Sequence, residues 1–222
     1  MSDQAIVISA SPHIHSDRTS KKLMYDVLIA LIPAFLMSIY LFGISALVLT
    51  SVAVSTCLLF EYLIQKYLLK TEVTTADGSA LLTGILLAFN LPATLPIWMV
   101  VVGSLVAIGV AKLSFGGLGN NIFNPALVGR VFLLVSFPVQ MTTWPIPVEN
   151  NTTLVDATTG ATTLGIIKEE LMYGGTMSTI SSKIPSTADM LLGISGGSIG
   201  EMSALALLLG GMYLLARRVI TW

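Results

Sequence analysis

The stretch VDATTGATTL, residues 155–164, gathers hydroxyls in an otherwise greasy chain. Threonines and Asp156 surround one Gly-Ala pair, with no histidine or cysteine nearby. A lone threonine with no base beside it is a poor nucleophile. The plain reading is therefore a loop, because Thr, Asp and Gly are turn residues. Asp156 then serves as an Asx turn, or as the N-cap of a helix running through ATTGATTLGIIKEEL.

Two other places hold residues that could do chemistry. GGLGNNIFNPALVGR (116–130) combines glycines with Asn120, Asn124 and Arg130. As plain structure, it is a loop ending in Asn124 as N-cap and Pro125 as the first helical residue. As a site, it is a re-entrant wall for an anionic ligand or an ion, with helix N-terminal amides facing an anion. Arg130 is costly inside a membrane and needs a partner, either a ligand's phosphate or a carboxylate such as Glu61. In GSIGEMSA, Glu201 with Ser203 is either a charge at a helix start or part of an ion route. His13 and His15 alone make no metal site. Cys57, the single cysteine, can form no intrachain disulfide and cannot alone hold an iron–sulfur cluster. No metal site and no catalytic group of the chain's own emerges.

The elements that must position these residues are membrane helices. Of 222 residues, 54% are hydrophobic and 10% charged, with a mean hydropathy of +0.85. A soluble domain carries about 25% charged residues. The net charge of −1 offers no basic field for nucleic acid. The polar segment 1–23 has no apolar core of a signal peptide. Its Arg18, Lys21 and Lys22 abut the first span and place the N-terminus in the cytoplasm. A span needs about 20 apolar residues. Spans are predicted over 24–43, with a kink at Pro33, and over 45–69, where Lys66 and Lys70 snorkel at the end. The next segment, 79–96, has a helical run of only roughly 18 Å before NLP. It is predicted to be a broken helix, with Asn90 and Pro92 at the break, its backbone satisfied by protein or a wet cavity. Further spans are predicted over 96–115, ending at Lys112, over 116–139, and over 198–222, ending at Arg217 and Arg218. The polar segment 140–197 is predicted to be an extracytoplasmic loop. Every basic helix end then falls on one side. GSALLTGILLA (78–88) and MSALALLLGG (202–211) run in opposite directions, the pattern of an inverted repeat.

DATTGAT (156–162) resembles the flavinylation motif of bacterial respiratory flavoproteins, Asp-x-x-(Ser/Thr)-Gly-Ala-Thr. SPHIHS (11–16), DGSALLTGILLAFNLP (77–92), GGLGNNIFNPALVGR and GSIGEMSALALLLGG (197–211) resemble one family over nearly the whole chain. It is the D subunit of the Rnf complex, related to the B subunit of the sodium-translocating NADH:quinone reductase. The resemblance implies covalent FMN, attached through its phosphate to the hydroxyl of Thr162 by a flavin transferase. Asp156, Thr159, Gly160 and Ala161 fill the other motif positions, and the small Gly-Ala pair lets the transferase approach the backbone. It also implies a multi-pass subunit of the bacterial inner membrane, among other Rnf-like subunits in the lipid bilayer. That assembly moves electrons between ferredoxin and NAD and couples them to Na+ or H+ transport.

The expected architecture is an all-α polytopic membrane protein with about six crossings, one broken. Thr162 lies on the outer loop. Asn120, Asn124, Arg130 and Glu201 are candidates for a second, noncovalent flavin or an ion. The chain stops at RRVITW, where the family continues with further spans, so it is read as truncated. The rival expectation is a cofactor-free secondary transporter or channel built on inverted repeats.

Overall fold

The computed structural model describes residues 19–71, 73–146, 159–160, 162–174, 184–193 and 196–221. Helix α1 spans Ser20–Phe42 and runs through Pro33. Thr19 caps it, its side chain accepting from the Lys22 amide. Gly43 stops it with φ of 60°, a conformation open to glycine at no steric cost. Helix α2, Ile44–Leu63, starts at the very next residue, so the two form a tight hairpin. Its last turns widen to π geometry over Ile64–Leu69. Helix α3 covers only Ser79–Phe89. After a break, α4 runs over Ile97–Leu105 and widens to π geometry over Val106–Lys112. Glycines at 116, 117 and 119, all with positive φ, turn the chain toward α5, Pro125–Ser136. The short α6 (Pro138–Met141) follows, then a two-residue ladder pairing Trp144–Pro145 with Thr159–Gly160. Helices α7 (Thr163–Met172), α8 (Thr187–Leu192) and α9 (Ala204–Ala216) complete the described fold.

This is an all-α polytopic membrane protein. Among the described residues, three helices are long and apolar enough to cross a bilayer: Ser20–Phe42, Ile44–Leu69 and Ile97–Phe115. Three more are apolar but shorter: Ser79–Phe89, Pro125–Ser136 and Ala204–Ala216. Shortening is thus not confined to the 79–96 segment. The expected span over 198–222 is a helix of 13 residues that begins at Ala204, after the loop carrying Glu201. The two segments read as an inverted repeat both fall on short helices, α3 and α9.

Small residues let the helices touch backbone to backbone, which is how helices associate when lipid is as apolar as leucine. A Cβ on Gly84 of α3 would lie 2.7 Å from the Cα of Val54 on α2. One on Gly129 of α5 would lie 2.9 Å from the Gly103 carbonyl oxygen of α4. One on Gly210 of α9 would strike the Ala30 carbonyl of α1. Ala46, Ala53, Leu87, Leu91, Val100, Ala107 and Leu133 fill the core between them. Ile32, Leu36, Val131 and Leu208 face outward, as bilayer-facing residues do.

The predicted break is present. Helix α3 ends at Phe89, with Asn90 as its cap. Protein satisfies the freed carbonyls: the amide of Gly200 donates to Phe89 O at 2.9 Å, and that of Ile199 to Leu91 O at 3.1 Å. The backbone entering α9 is thereby stitched to the backbone leaving α3.

Candidate functional site

Thr162 is the residue immediately before α7. It has extended backbone angles, and its Oγ1 accepts a hydrogen bond from the Gly165 amide at 3.1 Å. It is half-buried. It is therefore the N-cap of a helix that starts six residues later than Asp156 capping would require. Asp156 and Ala161 lie outside the described residues, and of Thr159 only the backbone is described. Gly160 pairs with Trp144 across the ladder. A Cβ there would run into the Ile146 side chain, which would have to turn away. The glycine thus has a packing reason of its own, beside any approach by an enzyme.

The glycine- and asparagine-rich loop folds as a capped helix entry. Asn124 Oδ1 accepts from the Ala126 amide at 3.0 Å, and Pro125 is the first residue of α5. Asn120 is exposed, with its amide donating to Gly117 O at 3.2 Å. Among the described residues, Arg130 reaches neither a carboxylate nor the loop. Its Nη1 donates to Asn90 Oδ1 at 2.8 Å, and the Asn90 amide donates onward to Leu86 O at 2.7 Å. Arg130 is thus tied to the helix break rather than to Glu61, one of the two partners considered for it. Glu201 is exposed, and its Oε2 accepts from the Ser198 amide at 3.4 Å. Ser203 caps α9 by accepting from the Ala206 amide. Among the described residues, no hydrogen bond or ion pair joins Asn120, Asn124, Arg130 and Glu201 to one another, although Arg130 on Asn90 and Gly200, beside Glu201, on Phe89 O both meet the α3 break.

A second cluster has no counterpart in the expected sites. Lys112 does not snorkel at a helix end. It is 2% exposed, and its Nζ donates to Glu61 Oε1 at 2.5 Å and to Ser79 Oγ at 2.7 Å. Glu61 itself is 0% exposed. Two long helices and the first residue of α3 thus meet at one buried ion pair. Thr50, Cys57, Glu61 and Gln65 form a buried face of α2 at helical spacing. The signal in the sequence is a charge inside each of two spans, Glu61 in 45–69 and Lys112 in 96–115.

The sequence matches the profile of the NQR2, RnfD, RnfE family over residues 7–222. The chain belongs to this family. It is 45% identical to the D subunit of the Na(+)-translocating ferredoxin:NAD(+) oxidoreductase complex of Acetobacterium woodii, over all of this chain and 66% of that protein. It is 44% identical to the D subunit of the proton-translocating ferredoxin:NAD(+) oxidoreductase complex of Clostridium ljungdahlii, over 97% of this chain and 63% of the relative. Against the D subunit of the ion-translocating oxidoreductase complex of Rhodobacter capsulatus the identity is 41%, over 96% and 64%. The chain thus spans slightly under two thirds of the length of these relatives.

Within this member of the family the two candidate regions differ in chemistry. Thr162 offers a single hydroxyl at the start of a helix, where the first amides have no intrahelical acceptor and favour a phosphate. The buried cluster offers one carboxylate, one ammonium and hydroxyls in a region of low dielectric. Such groups persist inside a membrane only when paired or in use.

Proposed function

We propose that this chain is a membrane subunit of an ion-translocating ferredoxin:NAD+ oxidoreductase complex and carries FMN bonded through its phosphate to Thr162. The observation that carries the reading is the placement of Thr162 Oγ1. Among the described residues it accepts one hydrogen bond, from Gly165, and donates none. Esterification removes only the hydroxyl hydrogen, so it breaks no donated bond. The fit is sound in charge as well. A phosphate on Thr162 would lie at the positive end of the α7 dipole, where the helix's first-turn amides favour an anion. Gly160 and the ladder to Trp144 hold the approach to Thr162 in place.

When bound, FMN supplies one-electron redox chemistry. The chain's own residues supply tether, position and local charge, and it is not an enzyme by itself. Other subunits of the complex, a flavin transferase and the lipid bilayer are its partners. It resides in a bacterial inner membrane with the N-terminus in the cytoplasm and Thr162 on the far side. The names of its relatives divide between Na+ and proton translocation, and either ion suits this reading.

The test is flavin fluorescence of the denatured full-length protein, made in a host that contains the transferase. A fluorescent band is expected for the native chain and for Thr162→Ser, and none for Thr162→Val. A dark native band refutes the assignment and leaves the cofactor-free transporter as the reading to pursue.

A further inference from the structure

The Lys112–Glu61–Ser79 cluster is unbalanced. Burying a carboxylate and an ammonium is repaid only if the remaining valences are also satisfied. Glu61 Oε1 receives the Lys112 ammonium, but Glu61 Oε2 is buried with no hydrogen-bond partner among the described residues. Ser104 Oγ, in α4, is buried and unpartnered among them too. What the site presents is one negative charge and oxygen donors, with a single positive charge seated between Glu61 and Ser79. Oxygen ligands with one compensating carboxylate are also what a small hard cation needs once stripped of water.

Two further features concern access and movement. A cavity of about 820 Å³ opens at the same end of the bundle. Its lining includes Gln65, one helical turn beyond Glu61; Leu113, next to Lys112; and Asp77, two residues before Ser79. Both charged residues also border widened helix: Lys112 ends the π segment of α4, and Glu61 precedes that of α2. Such segments recur at functional sites. The lysine stem is long and flexible, and its charge is a compact point.

We propose that Lys112 is a tethered counter-cation. Its ammonium occupies the oxygen site of Glu61 and Ser79, and a free monovalent hard cation entering from the cavity takes that site only when Lys112 swings out. Lys112 is then a positioning residue that sets the threshold for cation entry, not a ligand of the cation. The inference does not depend on the flavin at Thr162.

The experiment uses the full-length protein purified with its partners, reconstituted in nanodiscs. NaCl is titrated against choline chloride at constant ionic strength, with retained ²²Na+ and the unfolding midpoint as readouts. Removing the competing ammonium raises the fraction of sites open to the cation, so Lys112→Met binds Na+ about tenfold or more tightly than the native protein. Lys112→Gln, which keeps a donor toward Glu61 and Ser79, shows the same direction and guards against a folding failure of the first variant. The double variant Lys112→Met with Glu61→Gln loses the tight binding. If either lysine variant binds Na+ no better than the native protein, or the double variant binds as well as Lys112→Met, the proposal is overturned. Should neither lysine variant fold, the native carboxylate infrared band decides. A shift at high NaCl that is absent in Glu61→Gln supports the proposal, and no shift overturns it. Flavin content, measured on the same samples, is expected to stay unchanged, which separates this result from the Thr162 assignment.

Discussion

Substituting Gly200 by alanine tests whether the loop entering α9 closes the break in α3. A Cβ at this position would lie 2.5 Å from Phe89 Cβ and 2.8 Å from both Cγ and Cδ2 of the same residue. Phe89 has little freedom to yield, because its ring stacks on Phe35 with centroids 6.5 Å apart. The loop backbone must therefore lift. That stretches the 2.9 Å bond from the Gly200 amide to the Phe89 carbonyl. Overpacking costs about 1–3 kcal/mol and an orphaned buried carbonyl about 1–3 more, with some sharing because one displacement causes both. A loss of about 2–5 kcal/mol is expected. Gly211→Ala is the control. Nothing lies within 4 Å of a Cβ there, so the better helix former is expected to stabilise by up to about 1 kcal/mol. Unfolding by SDS in mixed micelles, followed by helical circular dichroism, measures both. A Gly200→Ala protein within about 0.5 kcal/mol of the native one would refute the clasp.

Other substitutions test other contacts in the same assay. Asn124→Ala removes the cap of α5 and is expected to cost about 1 kcal/mol, while Asn124→Asp, also a good cap, costs less. Asn90→Leu strips the Arg130 guanidinium of its bond to Asn90 and is expected to cost about 1.5–3 kcal/mol. Adding Arg130→Leu should recover part of that loss, and no recovery would contradict the pairing. Asp26→Asn breaks a pair with Arg217 whose guanidinium is 58% exposed. It should cost at most about 1 kcal/mol, less still in high salt.

The broken helix was legible because length is hard arithmetic. Eleven helical residues cannot cross a bilayer, and NLP cannot continue a helix. The cap at Asn124 was equally legible, since Asn followed by Pro is a helix start written in the local sequence. The start of α7 was not. Asp156 and Thr162 are both good caps, and choosing between them requires knowing that Thr159–Gly160 is held against Trp144–Pro145 far upstream. Lys112 reads as a basic helix end because a snorkelling lysine and a buried one look alike in sequence. Only the packing of α2 against α4 brings it to Glu61, 51 residues away. Likewise charge alone offers Arg130 two partners, a phosphate and Glu61. The structure gives it a neutral third, Asn90, because α5 packs beside the end of α3.

The attachment of a flavin at Thr162 is tested most directly by peptide mass spectrometry of the full-length protein from its native host. The account predicts that the peptide containing Thr162 carries the mass of one FMN less one water, with fragment ions placing it on that residue. An unmodified peptide, or a flavin placed on a neighbouring threonine, would contradict it.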